Sequence, residues 1–132
     1  MAYKIPDESI LVEIIERVMR QEGIVDSQSL LLKEVRKHLN RMDPEYRVSA
    51  QRLRKIAIKM KNIRVEIRCK ITDRSPDDMK TCPVCGEDME RIENMTLDGK
   101  KITVGYRCTF CPYWTGMRLR VPIRYIFRST LQ

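Results

Sequence analysis

Residues 82–112 run CPVCGEDMERIENMTLDGKKITVGYRCTFCP, and this stretch decides the fold of the C-terminal part of the chain. It begins and ends with a C-x-x-C motif, and 22 residues separate the two motifs. Two residues between cysteines allow a tight turn to direct both sulfurs at one ion. Four thiolates complete a tetrahedral shell and leave no open position for a substrate, so we predict a structural metal site. Its ligands are Cys82, Cys85, Cys108 and Cys111.

The choice of metal depends on the ligands and on the compartment. Four thiolates in a tetrahedron favour one structural Zn²⁺ ion, and iron is the alternative metal for the same ligands. Disulfides or free thiols compete with both interpretations. The N-terminus resembles neither a signal peptide nor a transit peptide, and no run approaches about 18 apolar residues. We therefore expect a cytoplasmic or nucleoid-associated protein without a membrane segment, in which reduced thiols bind metal.

The residues between the two motifs have the pattern of a β-hairpin. Asp98-Gly99 is a strong turn dipeptide, and apolar residues alternate after it. A hairpin between two cysteine motifs resembles the zinc-ribbon family over residues 80–121. The resemblance implies a subdomain that depends on its metal, because a core of roughly forty residues is too thin to fold alone. Alternating apolar and basic residues over 117–121 predict a third ribbon strand.

Three amphipathic helices precede this segment. Apolar residues recur at three- and four-residue spacings in each of them. Gly23 favours the end of the first helix, Pro44 prevents the second from continuing, and Ser49 is a suitable N-cap for the third. The predicted helices cover residues 7–22, 29–40 and 50–61. Apolar and polar residues then alternate over 63–71, which predicts a strand with one buried face. The partner of this strand either comes from residues 117–127 or is absent.

Three helices followed by a strand resemble the winged-helix branch of the helix-turn-helix fold over residues 24–72. That resemblance implies that the third helix is the recognition helix. We therefore expect an α+β chain in which an N-terminal helical winged-helix-like module precedes a β zinc ribbon. The expected parts are the module at 1–72, a polar linker at 73–80, and the ribbon with a basic, aromatic C-terminal strand at 81–132. This combination resembles small archaeal transcription factors and is similar in architecture to archaeal transcription factor E.

Positive charge is concentrated in one part of the sequence. The formal net charge is +8, and residues 47–72 contain nine Lys/Arg with Glu66 as the single acid. A surface that needs only solubility usually mixes both signs, so this segment favours contact with nucleic acid over the alternative of a solvated basic face. The residues that we expect to make this contact are Ser49, Gln51, Arg52, Arg54, Lys55, Lys59, Lys61 and Arg64.

These features predict a nucleic-acid-binding protein, and most simply a DNA-binding transcription regulator with double-stranded DNA as its partner. The alternative is a module that docks on protein or ribosomal RNA in RNA polymerase or the ribosome. A regulator that senses metal or redox state is a third hypothesis. The sequence has no recognisable phosphate-binding loop, nucleophile motif or pair of catalytic carboxylates, so we expect neither an enzyme nor a small-molecule substrate.

Five further residues have both a structural and a functional interpretation. We expect Cys69 to be a buried structural thiol and His38 to be an ordinary surface histidine. Trp114, Tyr125 and Phe127 could stack on the bases of single-stranded RNA. Packing in the core is the simpler interpretation of these three aromatic residues.

Overall fold

The computed structural model describes residues 3–130, which form an α+β structure with three helices and two small antiparallel sheets. In chain order, the helices are α1 (Glu8–Glu22), α2 (Gln28–Met42) and α3 (Ala50–Lys59). The strands are β1 (Ile24–Val25), β2 (Ile63–Ile71), β3 (Met89–Met95), β4 (Lys101–Cys108), β5 (Trp114–Thr115) and β6 (Arg120–Ser129). Within the described residues, no helix is long and apolar enough to cross a bilayer.

The chain divides into two compact units. The first unit contains the described residues up to Glu66 and again from Arg124 onward, and the second contains Ile67–Ile123. The sequence-based division at 73–80 assigned the C-terminal residues to the ribbon, whereas here they belong with the helices. The boundaries fall inside β2 and β6, so the second unit is an insertion between two strands of the first.

The helices of the first unit pack on one another through the apolar stripes that the sequence predicts. Leu11 and Ile15 of α1, Leu31 of α2 and Leu53 of α3 are all fully buried. Each such side chain contributes about 1.5–3 kcal/mol when it leaves water. Packing among the three helices is therefore the main force that folds this unit.

The helix ends follow local capping chemistry. The Ser27 and Ser49 hydroxyls accept hydrogen bonds from backbone N–H groups in the first turns of α2 and α3, each at 3.1 Å. Gly23 follows α1 with φ of +72°, a conformation that favours glycine. Pro44 favours an extended Asp43, so α2 ends before this pair of residues.

The first sheet has the strand order β1-β6-β2. β1 pairs with β6 in antiparallel fashion and places Val25 opposite Phe127. The Thr130 N–H donates to the Asn62 carbonyl (3.0 Å), as expected for antiparallel pairing of β6 with β2. The long predicted strand therefore finds its partner in the C-terminal segment. Phe127 is fully buried, and burial of this ring favours the return of the chain to the helical unit.

The second sheet has the order β3-β4-β5, and both pairings are antiparallel. β3 and β4 form the predicted hairpin, and Gly99 adopts φ of +85° in its turn. The register shifts between Ile92 and Glu93, which leaves Val104 as a bulged residue on β4. The third strand is the two-residue β5, and the strand predicted at 117–121 does not form there because β6 joins the first sheet.

Gly105 lies where β4 passes close to the backbone of β5. An ideal Cβ at this position would overlap the Thr115 carbonyl oxygen and would lie 3.1 Å from the Gly116 Cα. We expect Gly105→Ala to destabilise the second unit by about 1–3 kcal/mol, because backbone atoms cannot turn aside as a side chain can. The measurement is the midpoint of chemical unfolding followed by Trp114 emission. Gly116→Ala is the matched control, since its new methyl group would meet only a ring atom at 3.7 Å, and equal losses would contradict this account.

Candidate metal centre and basic surface

The structure brings together the four cysteines of the two C-x-x-C motifs. Their Sγ atoms all lie within 4.8 Å of one another. The Cys82–Cys111 pair is separated by 3.5 Å and the Cys85–Cys108 pair by 3.4 Å. A disulfide needs about 2.05 Å between sulfurs, whereas a tetrahedron of metal–sulfur bonds of about 2.3 Å has edges of about 3.8 Å. The cluster therefore has the dimensions and donor set for one metal ion.

Each motif supports its sulfurs with backbone N–H groups. The Val84 N–H donates to Cys82 Sγ at 3.4 Å. The N–H groups of Phe110 and Cys111 both donate to Cys108 Sγ at 3.3 Å. Such hydrogen bonds stabilise negative charge on sulfur, and in metal sites they orient the ligands. The two turns are thus shaped to present thiolates to an ion.

Hydrogen bonding and burial lower the pKa of one thiol of the cluster and raise the pKa of two others. The hydrogen bond with Cys111 lowers the pKa of Cys82 to about 5, and the same contact raises the pKa of Cys111. Burial raises the pKa of Cys85 to about 11. Negative charge is thus favoured on Cys82 Sγ, whereas the raised pKa values of Cys85 and Cys111 favour their protonated forms. A divalent cation that binds all four sulfurs must displace those protons.

The residues after the second motif tie the cluster to the rest of the second unit. Tyr113 is buried, and its hydroxyl donates to the Arg120 carbonyl at 2.5 Å. The Cys108 N–H in turn donates to the Tyr113 carbonyl at 2.9 Å. The Thr115 hydroxyl, also buried, accepts from the Arg120 N–H at 2.9 Å. Ordering of the second motif therefore orders the segment that leads into β6.

The eight residues predicted to contact nucleic acid differ in exposure. Those on the surface are Ser49, Gln51, Lys59, Lys61 and Arg64. Arg52 and Lys55 are half-buried. The Arg52 guanidinium donates to the Pro6 carbonyl at 2.8 Å, and the Ser49 hydroxyl caps the N-terminus of α3. These two side chains thus have intramolecular roles, and the exposed charge lies toward the C-terminal end of α3 and the start of β2.

Arg54 does not belong to the exposed basic surface. Its residue exposure is only 8%, and its guanidinium donates to the Gln28 side-chain oxygen at 2.8 Å. The same group lies over the Tyr125 ring, 4.7 Å from the ring centroid. The sequence contains a signal for this burial, because Arg54 lies three residues before Ala57 and next to Leu53, at the edge of the apolar stripe.

Arg54 therefore has an expected effect on stability. We expect Arg54→Ala to destabilise the first unit by about 1–3 kcal/mol, because the partly buried Gln28 contact and the ring contact are both lost. Denaturant unfolding followed by far-UV circular dichroism measures the change. Lys59→Ala, at an exposed position of the same helix, should stay within about 0.5 kcal/mol of the wild type. If the Arg54→Ala variant were as stable as the wild type but bound nucleic acid more weakly, Arg54 would be a nucleic-acid-binding residue, and its proposed structural role would be contradicted.

A second basic surface, which the summed charge of the N-terminal segment does not reveal, lies on α2. Four basic residues of α2 are exposed, and Glu34 is the single acid of this helix. They are Lys33, Arg36, Lys37 and Arg41. Residues 1–46 contain seven Lys/Arg and nine Asp/Glu, so the acids of α1 and its flanking segments mask these cations in a count over the whole N-terminal segment. A charge count for each predicted helix would have found this surface.

The aromatic candidates, Cys69 and His38 differ in how well their burial agrees with the sequence-based expectations. Phe127 is core, as expected, and Tyr125 is half-buried. Trp114 is 49% exposed, with the Arg120 guanidinium 4.0 Å from the centre of its ring, so it is not a core residue. Cys69 is half-buried, and burial raises the pKa of its thiol. His38 is also half-buried.

No protein-family model, curated protein or solved structure matches this chain. The site is therefore interpreted from its own geometry. That geometry is a four-cysteine cluster that could hold a metal ion in the second unit, and an exposed basic surface on α3 in the first.

Proposed function

We propose that the chain is a DNA-binding transcription regulator whose second unit is a zinc ribbon. The observation that carries this proposal is the exposed basic surface at α3 and the start of β2. Lys59, Lys61 and Arg64 are exposed there, and Lys55 is half-buried on the same helix. Backbone phosphates of nucleic acid are the anions that such a row of cations binds.

The order of elements in the first unit supports a winged-helix interpretation. A helix, a short strand, two helices and two antiparallel strands follow one another, and the three strands form one sheet. In a helix-turn-helix the second helix of the motif enters the major groove, and here that helix is α3. Gln51 is exposed in its first turn, where a side-chain amide can pair with an adenine edge. In this interpretation β2 and β6 are the wing strands, and the ribbon is inserted between them.

Charge is distributed unequally between the two units. The first unit contains sixteen Lys/Arg and ten Asp/Glu, a net charge of +6, whereas the second contains ten and eight, a net charge of +2. A divalent ion with four thiolates adds a charge of about −2, which leaves the second unit near neutral. Long-range attraction to DNA therefore comes from the helical unit. The ribbon is better suited to a supporting or protein-docking role.

Zinc is the metal that best fits the cysteine cluster. The donors are four sulfurs at the spacing of a tetrahedron, and such sites select zinc or iron. Four protein ligands leave no position for substrate or water, so the ion would be structural. It would hold the two C-x-x-C turns together and thereby order the second sheet.

A second candidate function is a module that docks on ribosomal RNA or on protein in RNA polymerase or the ribosome. It is favoured by the large apolar side chains that the second unit exposes. Phe110, Trp114 and Met117 are each about half exposed or more. Aromatic rings on such a surface can stack on unpaired bases or fill a pocket of a partner protein.

A competition experiment separates the two candidates. Zinc-loaded protein is bound to labelled duplex DNA, and unlabelled duplex or structured RNA is added at the same salt concentration. The regulator proposal expects duplex to compete at least as well as structured RNA. Much stronger competition by the RNA, together with its loss in Trp114→Ala, would favour the docking module.

A further inference from the structure

A groove with a mixed polar and apolar lining lies beside the C-terminal end of α2 and the turn that connects it to α3. Its volume is about 510 Å³. The residues that line it are Arg36, Asn40, Pro44, Tyr46, Arg47 and Val48. Val48 is buried, whereas Arg36, Asn40 and Arg47 are exposed. The lining therefore combines two guanidinium groups with uncharged polar and apolar side chains and contains no carboxylate.

The two arginines reach the groove from different elements. Arg36 and Asn40 are four residues apart on α2, so they share one face of this helix. Arg47 belongs to the connecting turn, where its Nη1 donates to the carbonyls of Pro44 (2.8 Å) and Tyr46 (2.9 Å). These bonds hold one nitrogen of the guanidinium and leave its Nε and Nη2 groups as further donors. The turn thus positions a cation at the groove.

The two acidic residues of the turn, Asp43 and Glu45, form ion pairs with Lys4. The Lys4 ammonium lies 3.0 Å from the Asp43 carboxylate and 4.0 Å from that of Glu45. Asp43 also accepts the Glu45 N–H at 2.9 Å, and this hydrogen bond and Lys4 lower the pKa of Asp43. Lys4 is held in turn by backbone pairing, since its N–H donates to the Glu45 carbonyl at 2.8 Å. The groove therefore keeps its positive character.

We propose that this groove binds a backbone phosphate of the duplex that α3 contacts, through Arg36 and Arg47. The inference rests on the proposed function. Guanidinium groups match the geometry of phosphate oxygens, and amide and phenol side chains such as those of Asn40 and Tyr46 are common additional donors to phosphate. The last residue that lines the groove, Val48, directly precedes Ser49, the N-cap of α3. A phosphate held here flanks the base pairs that the first turn of α3 faces.

The test compares duplex binding of full-length, metal-loaded variants by fluorescence anisotropy over a salt series. Arg36→Ala is the main variant, because Arg36 is exposed and its replacement leaves the turn intact. We expect about tenfold weaker binding and a log–log salt slope that is smaller by about 0.9. Arg47→Gln should give a similar loss with a folded circular dichroism spectrum. Arg20→Ala, which removes an exposed arginine from α1, should change neither quantity by as much.

The outcomes separate this inference from the proposed function. If Arg36→Ala and Arg47→Gln bind like the wild type while charge reversal on α3 weakens binding, the groove proposal is overturned and the regulator proposal stands. If the wild type does not bind duplex even at low salt, both are overturned. Saturable binding of inorganic phosphate that Arg36→Ala abolishes, with duplex binding unchanged, would assign the groove to free phosphate and overturn the inference.

Discussion

Removal of the metal from the zinc-loaded chain should unfold the second unit. The β3-β4-β5 sheet of this unit is small, and three of the unit's buried residues are the cysteines Cys82, Cys108 and Cys111 themselves. Apparent binding free energies at structural zinc sites are about 10–16 kcal/mol, more than a core of this size supplies. Trp114 is the single tryptophan and lies in this unit, so its emission should shift to the red when a chelator is added.

Cysteine variants test the same prediction without a chelator. Cys108→Ser should abolish stoichiometric zinc binding and reproduce the emission of the metal-free chain. Cys69→Ser is the matched control, because this cysteine lies outside the four-sulfur cluster, and it should bind one zinc ion per chain. Unchanged emission and amide exchange in the second sheet after complete metal removal would refute a structural role for the ion.

The helices should survive metal removal, even though β6 follows the metal-binding segment in the chain. Unfolding of Ile67–Ile123 replaces a folded insertion by a flexible loop between the parts of β2 and β6 that belong to the first unit. The closure entropy of a loop grows by only about 0.6 kcal/mol for each doubling of its length. This cost is small beside the burial of the α1–α3 core. The helical circular dichroism signal should therefore persist when the Trp114 signal is lost.

Charge reversal at Lys59 and Lys61 should weaken duplex binding by about 10–100-fold at physiological salt. Both residues are exposed, Lys59 at the end of α3 and Lys61 just after it, and each reversal would remove a proposed phosphate contact and add repulsion. The double variant Lys59→Glu, Lys61→Glu is compared with wild type by fluorescence anisotropy. Arg52 is a poor choice for this test, because its guanidinium is bonded to the Pro6 carbonyl.

The control for this prediction keeps the total charge equal. Lys100→Glu, Lys101→Glu also reverses two exposed lysines, but these lie at the β3–β4 turn in the second unit. If binding depends on a local surface, this variant should lose at most a few-fold in affinity. Equal losses in the two double variants would mean that only net charge matters, and the α3 surface would have no special role.

The features that local patterns encode were predictable from the sequence. The C-x-x-C spacing identified four cysteines that the structure gathers within 4.8 Å. The three helices follow from apolar periodicity and from caps such as Ser49, and their ends agree within two residues. These signals depend on neighbours in the chain, which is why they can be recognised without the fold.

Long-range features could not be predicted in the same way. The alternation at 117–127 indicates a strand, but it does not say whether the strand joins the ribbon or the helices. That choice depends on where Phe127 is buried. The position of Arg54 at the edge of the apolar stripe hints at burial, but its contacts with Gln28 and Tyr125 involve distant segments and cannot be read from the sequence. The groove at Arg36 is likewise lined by residues of α2 and of the turn that follows it. A charge count along the sequence does not show that these residues share one groove.

The central claim is that the helical unit binds duplex DNA through its basic surface, and a salt titration tests it most directly. Anisotropy of zinc-loaded wild-type protein with a labelled random duplex is measured from low to physiological salt. The account predicts binding at low salt and a linear fall of log affinity with log salt, with a slope that decreases in Lys59→Glu, Lys61→Glu. Absence of binding at the lowest salt, or a slope that this variant leaves unchanged, would contradict it.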